Sequence, residues 1–115
     1  MSDISSLIEK IRKFRDERDW MQFHDPKNMA ISIVIEAAEL LENFQWKSKA
    51  EVEEYARQHN GEIEEEIADI AIYLFELADN LGIDLTDAME RKLEKNAKKY
   101  PAEKARGKHT KYDKL

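Results

Sequence analysis

PKNMAISIVIEAAELLENF, residues Pro26 to Phe44, is the stretch that decides the fold. It contains no glycine, and its proline stands where the first turn of a helix tolerates one. At about 100° per residue, Ala30, Ile33, Val34, Ala37, Leu41 and Phe44 share one broad face. Ser32, Glu36, Glu39 and Asn43 form a narrower polar stripe, and Ile31, Ile35 and Ala38 fill the remaining side. A polar stripe flanked by apolar residues on both sides reads as enclosed, unlike the charged side of an ordinary surface helix. A short chain has little interior of its own. A helix apolar around most of its circumference therefore predicts burial against a second subunit.

The stripe carries Glu36-Ala37-Ala38-Glu39, a pair of carboxylates three residues apart and hence neighbours on the helix surface. A second pair follows in Glu66-Ile67-Ala68-Asp69. It lies within another predicted helix, roughly Glu62 to Leu81, whose core face is Ile63, Ile67, Ile70, Ala71, Leu74, Leu77, Ala78 and Leu81. Glu66, Asp69, Tyr73 and Glu76 fall on the adjoining stripe, and Gly82 is placed to end the helix. Taken singly, each pair would suit a solvated face, and an acidic first turn would suit the helix dipole. Side by side, the two helices bring four carboxylates together, which is costly unless a cation sits among them. Hard divalent cations take oxygen ligands of this kind. Glu36, Glu39, Glu66 and Asp69 are therefore the predicted metal ligands, with Mg2+ as the ion and Mn2+ as its substitute.

Around these two helices the chain reads as all-α. A first helix, capped by Ser2 or Asp3, carries Ile4, Leu7, Ile8, Ile11 and Phe14 at helical spacing and fades near Arg18. Asp19 to Asp25 is an aromatic-rich connection containing Trp20, Phe23 and His24. Gln45-Trp46-Lys47-Ser48 is a turn, and Ser48 caps a short helix reaching about Gln58. Asn60-Gly61 reads as a stop. A further helix runs from Asp84 or Leu85 to about Tyr100, with Leu85, Met89, Leu93 and Tyr100 inward and Lys92, Asn96 and Lys99 close to that side. Pro101 closes it. Residues 1–101 are the expected domain and 102–115 a basic, flexible tail.

Composition agrees. In 115 residues there are only 3 Gly and 2 Pro, against 38% charged and 42% hydrophobic residues, a balance that favours helices around one core. A net charge of −6 argues against a sequence-independent nucleic-acid binder. The absence of cysteine excludes disulfides and thiolate metal sites. No apolar run is long enough to span a membrane, and the N-terminus lacks a secretory pattern, so a cytoplasmic protein is expected.

Both carboxylate pairs resemble the metal-binding signature of the all-alpha NTP pyrophosphohydrolases, the MazG-like superfamily. Its dCTP pyrophosphatase branch is the nearer match. Residues 17–28 (ERDWMQFHDPKN), 39–47 (ELLENFQWK), 69–74 (DIAIYL) and the segment from Lys92 to Pro101 are similar to that branch. The resemblance spans most of the chain from Ile8 to Pro101, but not Ser48 to Gly61 or the tail. It implies a four-helix-type bundle that assembles as a homo-oligomer, a dimer or a dimer of dimers, with pockets at subunit contacts. It implies hydrolysis of a nucleoside triphosphate between the α- and β-phosphates, giving monophosphate and pyrophosphate. It places Trp20, Trp46 and Tyr73 around the base, with His24 beside them, and Lys92, Asn96 and Lys99 on the nucleotide. Where the family often carries Arg this chain has Lys99, which gives up bidentate phosphate binding.

The expected activity is thus a Mg2+-dependent nucleotide pyrophosphohydrolase acting on dCTP or modified dCTP, in nucleotide-pool house-cleaning, without nucleic-acid or membrane partners. The attacking water falls to Glu36 or Glu39. The competing readings are the same reaction on another canonical or damaged nucleotide, and a non-catalytic helical interaction module. A di-iron carboxylate bundle is set aside, because none of His24, His59 and His109 follows a Glu by three positions.

Overall fold

The computed structural model describes residues 3–115. Six α-helices account for most of them: α1 (Ile4–Glu17), α2 (Pro26–Glu42), α3 (Lys49–Gln58), α4 (Asn60–Asn80), α5 (Leu85–Lys99) and the single turn α6 (Ala102–Ala105). Short 3-10 turns occupy Met21–Phe23 and Tyr112–Lys114, and the described residues contain no strand. The helix starts are written in the sequence. Asp3 accepts from Ser6 N at 2.8 Å, Asp25 from Asn28 N at 2.9 Å and Asp84 from Asp87 N at 3.1 Å. Ser48 and Glu51 form a reciprocal capping box, with both bonds at 3.2 Å. Ser2, the other cap candidate for α1, lies outside the described residues.

One boundary differs from expectation. Asn60-Gly61 does not halt the chain but opens α4, with only His59 between it and α3. His59 N donates to Tyr55 O at 2.9 Å and Ile63 N donates to His59 O at 3.2 Å. Backbone bonding is therefore handed across the junction, which leaves Gly61 inside a helical turn. At the far end the prediction for Gly82 fits: its φ of 70° is the left-handed conformation that glycine adopts without a Cβ penalty.

The chain forms two compact units, one ending at Gly82 and one from Ile83 to Leu115. In the first, α4 is the hub against which α2, α1 and α3 all pack. Arg12 on α1 donates to Asp79 on α4 at 2.7 Å, and this contact holds the Asp79 carboxyl below the usual aspartate range. In the second unit, the segment read as a flexible tail carries α6 and the last 3-10 turn. Tyr112 meets Tyr100 edge-on, ring centroids 6.1 Å apart, and Lys99 lies over the Tyr112 ring.

The two sides of α2 are distributed unexpectedly. Ser32, Glu36 and Asn43, from the polar stripe, are half-buried, whereas Val34 and Leu41, from the broad apolar face, are 67% and 60% exposed. On α4, Glu76 is buried while Ile67 and Leu74 are exposed. Few of the described side chains are fully enclosed: among them Met29, Ile63 and Ala78 are the buried apolar ones, and Met29 alone falls to 1% exposure. Removing the Met29 side chain leaves a cavity that the helix backbone cannot collapse around, so Met29→Ala should cost about 2–5 kcal/mol. Urea unfolding checks this; a loss below about 1 kcal/mol would mean the core lies elsewhere.

Candidate active site

The polar stripes of α2 and α4 meet. Glu36, half-buried on α2, has its carboxyl pushed above the usual glutamate range. Loss of solvent is the largest cause, followed by contact with the Glu39 carboxylate one turn on and by the charges of Asp69 and Glu66 across the helix pair. The other three predicted ligands are thus all within electrostatic reach of Glu36. No ion pair among the described residues involves any of them. They do not form a closed cage: among the described residues, no three His, Asp or Glu groups are gathered tightly enough to ligate one ion. Mutual repulsion spreads like charges, and Glu66 is drawn to a neighbour instead. The donor set of clustered carboxylates without a basic counter-charge suits a hard divalent cation.

That neighbour is Asn43, one turn beyond Glu39. Its amide Nδ2 donates to Glu66 Oε2, and its Oδ1 accepts from the Tyr55 hydroxyl of α3 at 2.9 Å. Tyr55 is in turn stacked on His59, with centroids 4.1 Å apart and planes 15° from parallel, and Lys47 Nζ lies 4.6 Å from its centroid. A run of polar contacts from α3 through α2 therefore sets the direction of an α4 carboxylate. Asn43 was visible as a member of the α2 stripe. Tyr55 was not, because it lies between Ser48 and Gly61, where no motif pointed to it.

Beside the carboxylates opens a cavity of about 730 Å³, with Glu36 and Asp69 in its wall. Ile11, Phe14, Trp20, Ile72, Tyr73 and Phe75 supply its aromatic and aliphatic surface. Trp20 packs edge-on against Phe14 at 5.6 Å and stands 6.4 Å from the His24 ring. Lys10, Arg15, His24 and Glu76 are the other charged or polar groups of the wall. His24 Nδ1 lies 2.7 Å from Glu76 Oε2 and 3.0 Å from Oε1. Glu76 shared a stripe with Asp69 and Tyr73 in the sequence, yet nothing there distinguished it from a solvated glutamate.

The predicted site residues are therefore distributed as follows. Trp20, His24, Tyr73, Glu36 and Asp69 line one cavity, and Glu39 and Glu66 adjoin Glu36. Trp46 does not join them within this chain: with φ of 69° at the turn after α2, its side chain is 93% exposed. Lys92, Asn96 and Lys99 belong to α5 in the second unit, where Asn96 is half-buried and the two lysines are exposed.

Comparison with known proteins gives this geometry a lineage. Residues 31–115 match the model of the MazG-like family. The dCTP pyrophosphatase 1 of Rattus norvegicus is 41% identical over 114 residues, covering 94% of this chain and 67% of the relative. That of Homo sapiens is 39% identical over the same lengths. A crystal structure of a pyrophosphatase from Archaeoglobus fulgidus DSM 4304 superposes with a TM-score of 0.83 at 49% identity, covering 88% of this chain and 94% of that one. The span matched by the family model contains both carboxylate pairs, and the chain belongs to the MazG-like family.

Proposed function

We propose that this protein hydrolyses dCTP, or a base-modified dCTP, between the α- and β-phosphates, with Mg2+ held by Glu36, Glu39, Glu66 and Asp69. Its relatives and family make it a nucleotide pyrophosphohydrolase. What supports the finer reading is Glu36, which feels the charges of Glu39, Asp69 and Glu66 and lines, together with Asp69, the wall of an aromatic cavity. Mg2+ bound there offsets the charge of the triphosphate and of the transition state. Trp20 and Tyr73 offer π-faces to the base, an interaction worth about 1–3 kcal/mol per stacked base in nucleic-acid proteins. Glu36 or Glu39 orients the attacking water and accepts its proton. Asn43 and Tyr55 keep Glu66 aimed. Lys92, Asn96 and Lys99 are assigned to the nucleotide on the sequence pattern.

The working form is a homo-oligomer. Ile31, Val34, Ile35 and Leu41 of α2 and Ile67 of α4 are all exposed in the single chain. An apolar surface this continuous marks an interaction face. Trp46 supports the same reading, since a tryptophan 93% exposed in its own chain can line a base pocket only with a second copy.

With Mg2+ and dCTP, the released products should be dCMP and pyrophosphate, separable by ion-exchange chromatography. Orthophosphate as the first product would contradict the reaction. Glu36→Gln, Glu39→Gln, Glu66→Gln and Asp69→Asn should each lower kcat/KM by about 100-fold or more while circular dichroism shows the helices intact.

The raised carboxyl of Glu36 also fixes the sign of a pH effect. Between the ordinary glutamate range and that raised value, the folded protein binds more protons than the unfolded chain. Without divalent metal, stability contributed by this group should therefore fall as pH rises through that window. Added Mg2+ should raise the melting temperature most above it, and Glu36→Gln should flatten the trend. A metal-free melting temperature that climbs through the window in parallel for both proteins would refute the clustering.

A further inference from the structure

Glu76 sits in the cavity wall with only 4% of its surface exposed, on the last third of α4. A buried carboxylate is costly unless its oxygens are satisfied. Oε2 is well supplied: His24 Nδ1 lies at 2.7 Å, and Asn80 Nδ2 donates at 3.0 Å. Asn80 is fixed in its turn, its Oδ1 accepting from Arg15 Nη1 at 2.9 Å. Oε1 has one donor only, His24 Nδ1 at 3.0 Å, although a carboxylate oxygen accepts two. The group is therefore held from behind and retains acceptor capacity at a cavity wall.

Its position along α4 adds a second observation. Asp69, Tyr73 and Glu76 follow one another on a single stripe, and all three line the cavity. Asp69 and Glu76 are seven residues apart, about 10 Å along the helix axis. That is the scale on which a nucleoside 5′-phosphate extends from its phosphorus to the far edge of its base. With the phosphates at the carboxylate cluster and the ring beside Trp20 and Tyr73, the base edge arrives at Glu76.

We infer that Glu76 is the specificity-determining residue of this pocket, accepting a hydrogen bond from the 4-amino group of cytosine and thereby rejecting uracil and thymine. The inference rests on the nucleotide-hydrolysing function proposed above and adds to it the group that reads the base. Cytosine presents an NH2 donor at C4, whereas uracil and thymine present a carbonyl oxygen. An ionised carboxylate has no proton to offer that oxygen, so the two meet acceptor to acceptor. Glutamate accepting from the cytosine amino group is a known mode of base discrimination. Clamped by His24 and Asn80, Glu76 cannot turn aside to relieve the mismatch. A site with fixed polar groups rejects the wrong partner more strongly than an apolar slot does.

The test is pyrophosphate release from dCTP, dUTP and dTTP by the full chain and by Glu76→Gln, with thermal melting of both. The unmodified protein should favour dCTP over dUTP in kcat/KM by at least about tenfold. Glutamine keeps the shape but adds an NH2 donor, so the ratio should fall by about tenfold or more, through loss on dCTP and gain on dUTP. Equal losses on all three substrates with a lowered melting temperature would make Glu76 a structural latch and overturn the inference. Should the variant not fold, the unmodified protein decides the matter with a dCTP analogue bearing hydrogen in place of the 4-amino group. It should lose turnover by a similar factor, and full turnover overturns the inference. Equal release from dCTP and dUTP by the unmodified protein would sink the role of Glu76 while leaving the hydrolase reading intact. Release from no nucleotide at all would remove both.

Discussion

Repulsion between carboxylates on α2 and α4 is the constraint around which this protein is arranged. Packing of α2 on α4 brings Glu66 and Asp69 within reach of Glu36, which already has Glu39 one turn on, and loss of solvent together with these carboxylates raises the Glu36 carboxyl. Like charges drawn together in this way favour a compensating cation. The arrangement makes sense for a molecule whose partner is itself polyanionic and arrives with divalent metal. It also explains why α2 turns its polar stripe toward α4 and leaves Val34 and Leu41 outward. The helix leaves much of its apolar surface exposed in the single chain.

A second charged centre lies farther along α4, where Glu76 is enclosed by His24, Asn80 and Arg15. The two centres are compensated differently. The first lacks a basic neighbour and invites an ion; the second is held by hydrogen bonds from His24, ahead of α2, and from Asn80, one turn on along α4, and invites a neutral donor. The aromatic cavity between them, with Trp20 and Tyr73 in its wall, has the polarity pattern of a nucleotide laid end to end. α1 contributes Arg15 and Phe14 to this wall, and α3 contributes Tyr55 behind Glu66, so every helix packed on α4 has a part in the site.

Much of this was legible in residues 26–44 and 62–81. Three-residue spacing alone put Glu36 beside Glu39 and Glu66 beside Asp69; the apolar flanks pointed to enclosed stripes, yet in the single chain Glu36 and Glu66 are half-buried and Glu39 and Asp69 are exposed. Caps at Asp3 and Ser48 were equally readable, because each is a local side-chain-to-backbone bond; Asp25 and Asp84 cap their helices in the same way without having been singled out. What escaped depended on distant partners. The burial of Glu76 is decided by His24, fifty-two positions away, and the role of Tyr55 by Asn43. Asn60-Gly61 misled for a related reason: the dipeptide permits a turn, but the backbone bonds on either side of His59 sustain helix through it. Trp46 was read as a pocket residue, and within one chain it lies in solvent.

The central claim is that the four acidic side chains of α2 and α4 hold a divalent cation. Anomalous diffraction from crystals soaked in Mn2+ addresses it most directly. The account predicts manganese peaks bounded by the carboxylate oxygens of Glu36, Glu39, Glu66 and Asp69, with side chains drawn inward from their metal-free positions. Crystals that bind manganese elsewhere, and leave these four carboxylates unmoved at saturating metal, would contradict it.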